Sequence, residues 1–323
     1  MSRLFASRTG PLPHSREVIA VSVDGARVHA EVFGPDAAPA VVLAHGWTCS
    51  IAFWAEQIRD LARDHRVIAY DQRGHGLTPA PADPAGFSTR ALADDLEAVL
   101  AATLAPGERA VLAGHSMGGM TLMAAATRPA FREHAAAALL CSTGPSRLVA
   151  ESLVLPLPAG GVRTRLTKAI LGARAPLGPV NALSRKILKY ATMGPGSAPE
   201  RVDACARIVH ACPRRARVAW SRVLAELDLV AGVRELELPV AVIAGTADRL
   251  TPPVHSRGLA AALPRCVGLE ELAGMGHMTP VEAPEAVTAR IRDLVTSYVS
   301  AEPTPVEPTP VEPTSVEQKE EVA

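Results

Sequence analysis

The segment Arg109-Ala-Val-Leu-Ala113 followed by Gly114-His115-Ser116-Met117-Gly118-Gly119 decides how this chain is read. Four apolar residues in a row end in G-x-S-x-G, and a helical pattern runs from Met117 to Thr127, stopping near Pro129. A strand buried on both faces therefore turns sharply into a helix, with Ser116 at the turn. Such a turn needs small residues two places either side of the serine. Gly114 and Gly118 supply them, and Gly119 adds room. The hydroxyl stands at a helix N-terminus, where unbonded N–H groups favour negative charge.

Working outward, the same alternation recurs. Glu17–Val23 and Arg27–Phe33 read as a hairpin joined at Asp24-Gly25. Ala40–Ala44, Arg66–Tyr70, Ala135–Cys141, Leu238–Ala244 and Val267–Leu272 read as further strands. Helical spacing lies between them over Ile51–Arg63, Ser88–Thr103, Val254–Ala262 and Pro284–Val299. The expected fold is α/β, a doubly wound, mostly parallel, eight-stranded sheet with helices on both faces. Residues 17–144 and 235–300 form its core, after an N-terminal extension over 1–16.

Pro145 to Arg234 interrupts the pattern with Pro/Gly breaks and amphipathic stretches at Val180–Ala191 and Arg201–Ala211. It reads as a helical insertion after the sixth strand. Leu148, Val149, Leu153, Val154, Leu155 and Leu157 near its start pack on the core or line an acyl tunnel. The tail, 301–323, repeats Glu-Pro-Thr-Pro-Val at Glu302 and Glu307 and reads as extended and disordered. It can also be read as a partner-docking segment.

The 323 residues carry 33 basic and 33 acidic side chains, so net charge offers no argument for nucleic acid. The charge is nonetheless segregated. Gly144–Glu235 holds 15 Lys/Arg against 6 Asp/Glu, and the tail holds six Glu and one Lys. A basic insertion could attract an anionic substrate or serve only as a solvated face. Five cysteines without a C-x-x-C pair fit a reducing, cytoplasmic setting. Apolar runs are too short to span a membrane, and the N-terminus lacks the apolar core of a secretion signal. No dinucleotide, P-loop or metal-ligand spacing appears, so neither a cofactor nor a metal is expected.

A serine needs a base, and a histidine base needs a carboxylate to orient it. His45, His75, His115 and His277 all follow strand ends. His277, after the last strand, is the candidate base. His115 is expected to point away from Ser116 and pack. Asp248, after the seventh strand, is the candidate acid. Asp71 reads as a turn former. The N–H groups of Met117 and Trp47 are the candidate oxyanion donors, because Gly46 permits the loop before Trp47 to turn inward.

His45-Gly46-Trp47, Asp71-Gln72-Arg73-Gly74-His75-Gly76, Gly114–Gly119, Gly245-Thr246-Ala247-Asp248 and Gly276-His277 together resemble the α/β-hydrolase fold family over about Glu17 to Ser300. The resemblance implies a serine-nucleophile member with a helical cap over 145–234. It implies a serine hydrolase, carboxylesterase- or lipase-like, acting on a small apolar acyl substrate. C–C bond hydrolases, cofactor-free perhydrolases or haloperoxidases, and non-catalytic small-ligand binders share the same motifs. Families of this fold that open epoxides or haloalkanes use an aspartate where Ser116 stands.

Overall fold

The computed structural model describes residues 11–299. The tail reading and most of the N-terminal extension lie outside that range. Eight strands form one sheet: β1 (Ser15–Val21), β2 (Arg27–Phe33), β3 (Ala40–Ala44), β4 (Arg66–Tyr70), β5 (Ala110–His115), β6 (Ala135–Cys141), β7 (Val240–Gly245) and β8 (Cys266–Leu272). Their order is β1-β2-β4-β3-β5-β6-β7-β8. β1 and β2 pair antiparallel, β2 meets β4 antiparallel, and every later pairing is parallel. β1 begins and ends two residues before the expected strand. Ser22 N–H to Ala26 O and Gly25 N–H to Ser22 O, both 2.8 Å, close the turn early.

The helices follow in chain order: α1 (Ala55–Leu61), α2 (Thr89–Thr103), α3 (Met117–Ala125), α4 (Pro129–His134), α5 (Leu148–Glu151), α6 (Gly161–Leu171), α7 (Ala182–Thr192), α8 (Pro199–Ala211), α9 (Arg214–Glu226), α10 (Val230–Arg234), α11 (Pro253–Ala262), α12 (Thr279–Glu282) and α13 (Pro284–Tyr298). Several differ from the sequence pattern, which places no helix at Thr279–Glu282. Ile51–Trp54 is a tight 3₁₀ turn ahead of α1. Pro129 not only follows the end of α3 but starts α4, where its missing N–H costs nothing in a first turn.

Strand side chains alternate between two cores. Val42, Leu112, Leu140 and Val242 face a layer holding Leu96, Leu122 and Leu259 of α2, α3 and α11. Val41, Val111, Leu139 and Ile243 face the other, with Ile58 and Ile291 of α1 and α13. Each such side chain is essentially fully buried and contributes roughly 1.5–3 kcal/mol. Continuous apolar strands thus carry helices on both faces, and the parallel arrangement brings the ends of β3 to β8 to one edge. The helices α5 to α10 all lie between β6 and β7.

Candidate active site

Ser116 joins β5 to α3 with φ 51° and ψ −114°, a conformation that costs a non-glycine residue about 1–3 kcal/mol. Hydrogen bonds hold it there. Its N–H donates to Cys141 O at 2.9 Å, and its carbonyl accepts from Thr143 Oγ1 at 2.7 Å. The turn also depends on close approach. A Cβ at Gly118 would sit 2.0 Å from Ala44 O, and one at Gly114 would sit 2.5 Å from the Gly118 backbone.

His277 follows β8, and its Nδ1 donates to Asp248 Oδ2 at 2.9 Å. Asp248 also accepts from Leu250 N–H (2.8 Å), Thr251 N–H (2.9 Å) and Thr251 Oγ1 (2.8 Å). The carboxylate is therefore buried but fully occupied, which is what a buried charge requires. It fixes the His277 tautomer, leaving Nε2 unprotonated in the neutral ring. Ser116 and His277 line one cavity of about 460 Å³. Ser116 Oγ itself makes no hydrogen bond among the described residues, so this structure brings serine and histidine to one chamber without joining them.

The N–H groups of Met117 and Trp47 have no acceptor among the described residues. Met117 opens α3, where an unbonded N–H is expected. After Trp47 the chain turns through Thr48 at φ 63°, held by Thr48 N–H to His75 Nε2 at 3.2 Å. The Trp47 indole donates to Arg217 O of α9 at 3.1 Å, so this loop is tied to the helices above it.

The other strand-end histidines are structural. Burial lowers the His75 pKa to about 3 and lowers that of His45. His45 donates through Nδ1 to Gly46 O at 2.7 Å and accepts from Gln72 N–H at 3.0 Å. His115 takes the expected packing role. Its ring packs on Phe53 and His277, with centroids 4.4 and 4.9 Å away, yet it also borders the cavity. Asp71 is a turn former, accepting from Ile51 N–H and Leu77 N–H at 2.9 Å each.

Sequence reasoning missed Glu282. Its carboxylate accepts from Gly276 N–H and Met278 N–H, either side of His277, at 3.1 Å. It also accepts from Gly194 N–H and Ser197 Oγ, both at 2.6 Å. The residue anchors the histidine loop to the helical segment, and a lone Glu in a four-residue helix gave no signal. Thr251, 3.1 Å from His277 Nδ1, was also missed.

The cavity lining is chiefly apolar, with Leu148, Val149 and Val154 joined by side chains of α6, α7 and α9. Leu153 and Leu157 face solvent instead. Among the described residues no cluster of His, Cys, Asp or Glu could hold a metal, and no helix is long and apolar enough to cross a membrane.

Three comparisons agree with this architecture. Over 241 residues, 73% of this chain and 85% of the relative, the sequence is 31% identical to a Stutzerimonas stutzeri protein that carries the name carbamate hydrolase RutD. The fold superposes on the esterase RhEst1 from Rhodococcus sp. ECU1013 with a TM-score of 0.71 and 26% identity, covering 88% of this chain and 99% of that one. It superposes on the enol-lactonase from Burkholderia xenovorans LB400 with a TM-score of 0.68 and 26% identity, covering 86% and 100%. Residues 41–290 match the sequence profile of the alpha/beta hydrolase family, and the chain belongs to that family.

Proposed function

We propose that this protein is a serine hydrolase that cleaves a carboxylic ester or related acyl compound of apolar character through an acyl-enzyme. The observation carrying this reading is the Asp248–His277 bond of 2.9 Å beside the same cavity as Ser116, whose backbone is held at φ 51°.

In this mechanism the Ser116 hydroxyl turns toward His277 Nε2 as the substrate carbonyl enters; such bonds often tighten only in the complex. His277 takes the proton and Ser116 Oγ attacks the carbonyl carbon. The oxyanion is met by the N–H groups of Met117 and Trp47. Asp248 stabilises the imidazolium, which then protonates the departing alcohol. Water, deprotonated by His277, releases the acid and restores the serine. The segment over 145–234 acts as a cap whose apolar side chains hold the acyl chain. The esterase and enol-lactonase likenesses support hydrolysis of an ester-type bond.

Labelling with a fluorophosphonate probe, followed by turnover of p-nitrophenyl esters of rising chain length, tests the reading. Wild-type protein should label at Ser116, and Ser116→Ala should lose labelling and turnover together. Wild-type turnover by Ser116→Ala rejects the reading.

A further inference from the structure

The helices α6 and α7 are amphipathic in the wrong sense for a soluble surface. Val162, Leu166 and Ile170 recur every four residues along α6 and stand 70%, 46% and 51% exposed. Leu183, Ile187 and Tyr190 form the matching stripe on α7, at 67%, 59% and 43%. With 3.6 residues per turn each set occupies one face. The opposite faces bury little: Arg163 and Thr167 on α6, Leu188 and Thr192 on α7. Soluble proteins seldom leave apolar side chains exposed in such runs unless something covers them.

The accompanying charge is of one sign. From Ser152 to Pro199 the chain holds seven Lys or Arg and no Asp or Glu. Arg165 and Lys186 lie one position before Leu166 and Ile187, within the exposed stripes. Lys168 pairs with Glu226 and Arg185 with Asp203, but Arg165, Arg174 and Lys186 have no carboxylate within ion-pair distance among the described residues. Ile170 and Ile187 also line the cavity that holds Ser116, so the exposed stripes run to its rim.

We propose that the outward faces of α6 and α7 dock on an anionic lipid bilayer, placing the cavity mouth where an acyl substrate dissolves. Apolar residues interleaved with Lys and Arg are what an interfacial helix presents to such a surface. A second copy of this chain fits less well, because a two-fold interface would set the same unpaired cations against themselves. Only the delivery of substrate rests on the hydrolase reading; docking does not.

The test is co-flotation of full-length Ser116→Ala protein with vesicles, which reads binding without turnover. Vesicles containing about one-third phosphatidylglycerol should retain at least about ten times more protein than pure phosphatidylcholine, and salt should weaken retention. Leu166→Glu/Leu183→Glu, at exposed positions outside the cavity lining, should lower retention at least about tenfold. Arg165→Glu/Lys186→Glu should abolish the preference for anionic lipid. Equal retention by both vesicle types, or by wild type and Leu166→Glu/Leu183→Glu, overturns the proposal. So does a lipid-free dimer in sedimentation velocity that the same leucine substitutions dissolve. Failure of docking leaves the fluorophosphonate result untouched, and an unlabelled serine leaves vesicle binding untouched.

Discussion

Nε2 of His115 donates a hydrogen bond to the main-chain oxygen of His277 at 2.9 Å, so the neighbour of the candidate nucleophile holds the backbone of the candidate base. A carbonyl only accepts, which fixes the proton on Nε2. Burial and the neighbouring His277 push the His115 pKa well down, so the ring stays neutral. Among the described residues its Nδ1 is buried without a partner. His115→Phe keeps a ring but removes this bond. It should lower kcat about tenfold, with a smaller change in KM, because the base loses position rather than the substrate losing contacts. A fall confined to KM would contradict this role.

Gly118 lies against the end of β3, where an added Cβ would stand 2.0 Å from Ala44 O and 2.6 Å from Ala44 C. Both are backbone atoms of a central strand and cannot swing aside. Gly118→Ala should therefore cost about 3 kcal/mol in urea unfolding. Gly46→Ala is a useful contrast. Its Cβ meets side-chain atoms, His115 Nδ1 at 2.6 Å and Ser116 Cβ at 3.2 Å, so activity should suffer more than stability. Equal destabilisation by the two substitutions would show that the strand end yields.

These contacts mark where the sequence was legible. Apolar runs such as Ala40–Ala44 allow one reading, because a strand buried on both faces has no polar position to register. The strand-end motifs followed, since β3 to β8 bring successive loops to one edge. Glu282 was hidden because its partners are backbone N–H groups, of Gly276 and Met278 nearby and of Gly194 far along the chain, and the Ser197 hydroxyl. No periodicity encodes such a meeting. The stretches that form α7 and α8 were recognisable as amphipathic, but which face turns outward depends on what the neighbouring helices bury.

Glu282→Ala should reveal that hidden anchor. It strips acceptors from three N–H groups and one hydroxyl at a buried position, a loss of about 3–5 kcal/mol. The His277 loop and the Gly194 turn should loosen together, visible as faster amide exchange at Gly276, Met278 and Gly194. Glu282→Gln, which keeps one carbonyl oxygen, should recover part of the stability. Exchange that speeds only at Gly194 would refute a shared anchor.

His29 of β2 and Asp71 meet as a buried pair of titratable groups. Burial works against a charged His29. The hydrogen bond from its Nδ1 to Asp71 at 3.2 Å, with the charges of Asp71, Glu31 and Glu17, outweighs burial and raises its pKa above 6.5. Burial likewise works against a charged Asp71. His29, His45 and the N–H groups of Leu77 and Ile51 reverse that and hold it below 3.8. The raised histidine stabilises the fold below pH 6.5 and loses that contribution as pH rises through its folded value. The lowered aspartate stabilises above pH 3.8 and loses it as pH falls through its folded value. The pair therefore contributes most between those two limits. In Asp71→Asn the His29 resonance should titrate at lower pH than in wild type. The decline of unfolding free energy between about pH 6 and about pH 8 should flatten with it. An unchanged His29 titration would mean that Glu17 and Glu31, rather than Asp71, hold its proton.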